Sequence, residues 1–352
     1  MSVKTQSQNY PWLHLFAVLT AVITFLLLGL GGLVTSHEAG MSVPDWPTSY
    51  GYNMFALPIK FWKGGAFFEH SHRLLASGAG FLTTILAVWL WIKEPRQWMK
   101  WLGVIAFLLV VAQGVLGGLR VVWKMDDLGI IHGVLGQSFF ILLCAIALFT
   151  SRFWAGWSAD EKTPGMARGL RTLMLAATTL IFCQLILGAT MRGQHAGLAI
   201  RDFPLAYGKL WPDTSTGAIA SYNAVRMDVV ADNPITAFQI LLQMAHRIVA
   251  GLVLIAITAC AWQARNLSIH RRIAIFWLAL IACQIALGAW TIWSNKAADV
   301  ATLHVMVGAL SLVTGALWCM IAFGRREEAT NSVPGRTISS AFGASPAMAV
   351  NK

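Results

Sequence analysis

Two short stretches carry residue types suited to holding a metal inside an apolar protein: Glu69-His70-Ser71-His72-Arg73 and Gln243-Met244-Ala245-His246-Arg247. Each opens a long apolar run, and each is followed about sixty residues later by another histidine opening an apolar run, His132 and His304. Two neutral imidazoles facing each other across a helical bundle are the usual protein contribution to a six-coordinate haem iron. A lone helical histidine is more often a hydrogen-bonded packing residue than a ligand. Four at matched positions point instead to two iron sites, His72 with His132 and His246 with His304. His14, His37, His195 and His270 have no such pairing and read as interfacial or loop residues.

Helical spacing sorts the first stretch. Residues three or four apart share a face, whereas His70 and His72 differ by about 200° around the axis. Glu69, His72 and Arg73 are therefore expected to point together into a bundle, with His70 turned elsewhere. Arg73 and Arg247 are candidates to pair with haem propionates as bidentate donors, against the plainer alternative of interfacial side chains that snorkel. At the position of Glu69 the second stretch has Gln243, which hydrogen-bonds but cannot exchange a proton. A carboxyl beside an intramembrane site is costly unless used. The asymmetry places chemistry in the first half and a coordinating, electron-carrying haem in the second.

The elements that must position these residues follow from composition. The 352 residues are 57% hydrophobic and 12% charged, about half the charged fraction of soluble domains, so the chain is an integral membrane protein. Its net charge of +11 reflects basic cytoplasmic loops, and nucleic acid is not an expected partner. The five cysteines lie in apolar runs without Cys-x-x-Cys spacing, which argues against covalent haem attachment, zinc ribbons and iron-sulfur clusters. Apolar runs long enough to cross about 30 Å of hydrocarbon fall at about 13–35, 69–92, 98–119, 129–150, 170–191, 236–263, 272–293 and 300–323. Arg and Lys gather in the links after even-numbered spans and in the tail. Both termini are then cytoplasmic and the histidines lie near the outer face.

Two outer links are long, about 36–68 and 192–235, and they contain a repeat. Residues 39–51 align without a gap to 196–208, with Ala, Gly, Asp, Pro, Tyr and Gly coinciding at an offset of 157. His72 and His246 repeat at 174, His132 and His304 at 172, and Gln113 and Gly117 match Gln284 and Gly288 at 171. The expected fold is all-α, eight transmembrane helices in two four-helix bundles. As parallel repeats, these would be related by a pseudo-twofold axis along the membrane normal. The halves are 1–155 and 165–323, with 324–352 a disordered tail.

The motifs Ala39-Gly40, Pro44-Asp45-Trp46-Pro47, Glu69-x-x-His72-Arg73, Gln113-Gly114-x-x-Gly117-Gly118-x-Arg120-Val121, His132-Gly133-x-x-Gly136-Gln137, His246-Arg247 and His304 together resemble the haem A synthase family over residues 10–323. The resemblance implies a bacterial inner-membrane enzyme that oxidises the C8 methyl of haem O to the formyl group of haem A, for terminal oxidases. It implies that His72 and His132 clamp the substrate haem, that Glu69 is the catalytically important acid, and that His246 and His304 bind a b-type haem that transfers electrons. Haem O synthase is a possible partner, and the electron partner and the oxygen source stay open. Several bacterial members carry a cysteine pair in the first outer loop. This loop has none, which puts thiol-linked regulation there in doubt. Other readings are a di-haem b electron carrier resembling a quinol oxidoreductase, a transporter, and a haem-free assembly factor.

Overall fold

Each apolar run forms a helix in the computed structural model, which describes residues 10–159, 166–225 and 234–324. The spans are α1 (Pro11–Ser36), α2 (Gly65–Lys93), α3 (Gln97–Trp123), α4 (Asp126–Phe149), α6 (Arg168–Gly193), α8 (Ala237–Ala264), α9 (Ser268–Trp293) and α10 (Ala298–Phe323). All eight are long and apolar enough to cross a membrane. Among the described residues there is no β-strand, only the isolated bridges Ser49–Tyr52 and Ala206–Lys209. The expected tail, apart from Gly324, lies outside the described residues, as does the segment before Tyr10. The protein is thus an all-α, multi-pass membrane protein.

Local chemistry sets the helix ends. Pro11 occupies the first turn of α1, where its missing N–H is not needed. A reciprocal capping box between Thr236 and Gln239 opens α8, satisfying two otherwise orphaned donors. Helix α2 begins at Gly65, one turn before the apolar run, behind Gly64 at φ 53°. Glu69 and His72 therefore stand inside the helix rather than at its mouth.

The helices pack as two closed rings. Each of α1, α2, α3 and α4 contacts the next and α4 returns to α1; α6, α8, α9 and α10 do the same. The rings meet where α1 and α4 face α10 and α4 faces α6. In lipid, close backbone approach replaces hydrophobic drive, and this seam shows it. The Met306 thioether fills the space beside Gly29, and the Thr302 side chain fills that beside Gly32. Arg192 of α6 fastens the seam by donating to the Gly32 carbonyl at 2.6 Å and to the Ser36 hydroxyl at 2.5 Å.

At the opposite end, His14 is tied to the Ala147 carbonyl at 3.0 Å. Arg96 binds both Glu94, at 2.7 Å, and the Phe149 carbonyl, at 3.0 Å. His270 is buried and accepts from the Trp318 indole at 3.0 Å. It is a packing residue rather than an interfacial one.

Two short helices interrupt the links, α5 (Arg152–Ala159) and α7 (Thr216–Val225). The two long loops share a backbone trace that matches the sequence repeat. Tyr50 and Tyr207 both stand at φ 53°, Gly51 and Gly208 at φ 77° and 75°, and the peptide bonds 46–47 and 203–204 are both cis.

Candidate functional site

In the first ring, α2 presents His72 and α4 presents His132, with their ring centroids 6.5 Å apart. A metal–imidazole bond is about 2 Å long, so two rings sharing one metal have centroids about 6 Å apart. The separation of the pair would therefore suit two imidazoles sharing one metal. In the second ring, α8 presents His246 and α10 presents His304 at the corresponding repeat positions. Among the described residues, no group of three or more His, Cys, Asp or Glu could hold a bare metal ion. Two imidazoles suffice only for a metal that brings its own equatorial donors, as a porphyrin does.

Each ring fits against a missing side chain. A methyl group added at Gly31, Gly117, Gly188 or Gly288 would stand between 3.1 and 3.4 Å from the facing histidine. The Gln113 amide lies 2.9 Å from Nδ1 of His132 once its nitrogen and oxygen are assigned to satisfy their neighbours. A histidine that gives Nε2 to a metal carries its proton on Nδ1 and needs an acceptor there, which the same amide provides when turned over. In the second ring, Nδ1 of His246, Nδ1 of His304 and the side-chain oxygens of Gln184 and Gln284 are buried without partners. Gln184 adjoins His246, donating to its carbonyl at 2.9 Å. Unpaired donors and acceptors of this kind cost stability unless a bound group reorganises them, so the residues present fit a haem.

Glu69 and Arg73 take a direction the helical spacing did not predict. Rather than turning with His72 into the bundle, they reach up to the first loop. Arg73 donates through Nη1 to the carbonyls of Asp45 at 2.7 Å and Thr48 at 3.1 Å, and through Nη2 to Val43 at 3.2 Å. It also pairs with Glu69 at 2.6 Å. The second carboxylate oxygen of Glu69 accepts from Val43 N at 2.9 Å, and the residue is 4% exposed.

The second ring repeats the clamp in register. Arg247 donates to the carbonyls of Leu205 at 2.8 Å and Asp202 at 2.7 Å, and Gln243 accepts from Ile200 N at 2.6 Å. What differs is the ion pair: the Gln243 amide donates to the carbonyls of Gly197 and Ile200 instead. The Arg247 Nε is buried without a partner. His70 points away from the pair, buried and edge-on to Trp62 at 4.7 Å.

Within the clamped loop, Asp45 accepts from Tyr50 N at 2.6 Å, Gly51 N at 2.8 Å and the Thr48 hydroxyl at 2.5 Å. Partial burial would raise its pKa, but these bonds outweigh it and hold the carboxyl below the usual value of 3.8. Asp202 makes the two backbone bonds, to Tyr207 N and Gly208 N, both at 2.8 Å; Leu205 replaces Thr48.

The spacing of the histidines does not reveal Gly31, Gln184 or Gly188. The loop offset of 157 carried back into the preceding helix finds the two glycines, because it pairs Gly31 with Gly188, but it sets Gln184 against Leu27. Also outside the predicted site are two arginines near the histidines: Arg120, which pairs with Asp126 at 3.2 Å, and Arg192.

With this geometry in view, residues 14–316 match the family model COX15-CtaA, described as cytochrome oxidase assembly protein. A protein of Novosphingobium aromaticivorans described as heme A synthase is 27% identical, covering 90% of this chain and 95% of its own length. One of Symbiobacterium thermophilum with the same description is 30% identical, over 77% of this chain and 82% of its own. Another, from Halalkalibacterium halodurans, is 25% identical over 86% of this chain and 94% of its own.

Proposed function

Since the chain belongs to the COX15-CtaA family of cytochrome oxidase assembly proteins, with the haem A synthases as its relatives, we propose that it is itself a haem A synthase. It is then a membrane oxidoreductase that takes haem O to haem A by converting the C8 methyl to a formyl group. The observation that carries this reading is the unequal pair of sites: two histidine pairs under matching loop clamps, with a carboxylate at Glu69 and an amide at Gln243.

Converting a methyl to a formyl group adds one oxygen atom and removes two hydrogens; with water as the oxygen source it releases four electrons and four protons, so the site needs an acid-base group and an electron outlet. His72 and His132, whose rings stand 6.5 Å apart between α2 and α4, would hold the substrate haem. Glu69 is the acid-base residue. Its two oxygens are held by Arg73 and Val43 N, which fixes the carboxyl group at the outer end of α2. His246 and His304 hold haem b, which supplies one-electron redox chemistry when bound. Arg73 and Arg247 keep the loops over the two sites, and the unpartnered Nε of Arg247 suits a propionate.

The substrate is lipid-soluble, and both sites sit in helices whose outer surfaces face lipid. We place the protein in a bacterial cytoplasmic membrane, with the termini inside and the clamped loops outside, following the basic residues in the links. Haem O synthase is the partner suited to supply the substrate.

The deciding experiment is chromatography of haems extracted from cells with and without the gene. Deletion is expected to remove haem A and accumulate haem O. An unchanged haem profile would refute the assignment.

A further inference from the structure

The four candidate ligands are not held alike. At His132, His246 and His304 the Cε1 corner of the ring faces the neighbouring glycine, with a methyl group at Gly117, Gly188 or Gly288 standing 3.4, 3.2 and 3.2 Å away. At His72 the ring is turned over. A methyl group at Gly31 would meet Nε2 at 3.1 Å. One helical turn before these glycines, three of the four helices carry a glutamine: Gln113, Gln184 and Gln284. Helix α1 carries Leu27 instead. Gln113 reaches Nδ1 of His132 and Gln184 holds the His246 backbone. Among the described residues no hydrogen bond holds the His72 ring, and Nδ1 of His246 and of His304 is likewise without a partner; what sets His72 apart is that no glutamine stands one turn before the glycine it faces.

A hydrogen-bonding partner on the non-ligating nitrogen fixes the tautomer and orientation of a metal-bound histidine, and losing it typically costs about 10–100-fold in metal affinity. Leucine offers neither a donor nor an acceptor. We infer that, of the two ligands of the substrate haem, His132 is the fixed one and His72 the exchangeable one, and that Leu27 is the position that leaves it so. The inference rests on the haem reading of the first ring. It also matches what each ring must do. A resident haem is kept, and the second ring has a glutamine for both of its ligands. A substrate haem must enter and its product must leave, so one ligand has to let go.

The test uses full-length protein carrying His246→Ala, so that the haem spectrum belongs to the first ring. The protein is loaded with haem O, reduced, and mixed with carbon monoxide, which binds only after a ligand departs. Leu27→Gln is expected to slow carbon monoxide binding at least tenfold, while Leu27→Met, of similar bulk and without an amide, leaves the rate unchanged. An unaltered rate in Leu27→Gln would overturn the assignment of His72, and equal slowing by both variants would show bulk rather than hydrogen bonding to be the cause. A loaded protein with no Soret band would refute the haem reading itself, a distinct result. In the chain with His246 intact, Gln184→Leu is expected to make a second haem reactive to carbon monoxide. If it stays unreactive, the glutamine does not set exchange.

Discussion

The two loop clamps use the same scaffold in different electrical states. In both, an arginine two helical turns into a span donates to loop carbonyls, and the residue four positions earlier accepts from a loop N–H. In the first ring that residue is a buried carboxylate, paired with its arginine at 2.6 Å. In the second it is an amide that spends its N–H groups on two more carbonyls. Holding the loop therefore does not require a carboxylate. A buried ion pair is weak evidence for stability, and since a neutral amide serves the same structural purpose in the second ring, the carboxylate is available for the acid-base role proposed for it.

Substitutions at the ligand histidines are expected to have the largest effects. His246→Ala is expected to remove the haem b spectrum and leave the first ring able to take up haem O, whereas His72→Ala spares the haem b signal. Absorption spectroscopy of the purified variants checks both, and loss of both haems in either variant would mean that the sites are not separate. Next in size is Glu69→Gln, which copies the second clamp into the first. It should cut haem A formation about 100-fold, the scale of a lost acid-base group, with the haem content retained. The reciprocal Gln243→Glu should leave product formation within a few-fold of the parent. Retained activity in Glu69→Gln would support a plain di-haem electron carrier instead.

A smaller effect is expected at Gly288→Ala, whose methyl would press on His304 from 3.2 Å. The haem b signal should shift or weaken in titration while the substrate site is unaffected. Smallest is the pH response of the first loop. Because Asp45 has its pKa lowered below 3.8 in the fold, its contribution is complete above that value and is lost as pH falls through the lower folded one. Asp45→Asn should flatten the acid dependence of protease cleavage between residues 39 and 52. An acid dependence unchanged by the substitution would place its origin elsewhere.

Much of this was legible in the chain. Spans are announced by apolar length, and the histidine pairs survive as spacing because each sits six to nine residues inside an even-numbered span. The loop repeat shows at a fixed offset because its turns need a particular backbone, set by Asp45, Tyr50 and Gly51 and again by Asp202, Tyr207 and Gly208. The direction of Glu69 and Arg73 was not legible. Helical spacing tells which residues share a face. It does not tell that a loop folded over the helix end offers the Val43 N–H and three carbonyls to that face. Helix α7 escaped for a related reason: it lies in the extra length of the second loop, held by Tyr222 stacking on Tyr207 at 3.6 Å and by the Asn223 side-chain amide, which donates to the Ile235 carbonyl and accepts from its N–H. None of these contacts leaves a periodic trace.

The closed first ring has a consequence for how the protein is made. All four of its helices, both of its histidines and its loop clamp lie before residue 150, so a nascent chain holds a complete first site before α6 has been translated. Domains generally fold in order as they emerge. Arg192 then comes off the ribosome as a latch, closing onto the Gly32 carbonyl and Ser36 of a helix already in place. The younger half is assembled on the older one as its template.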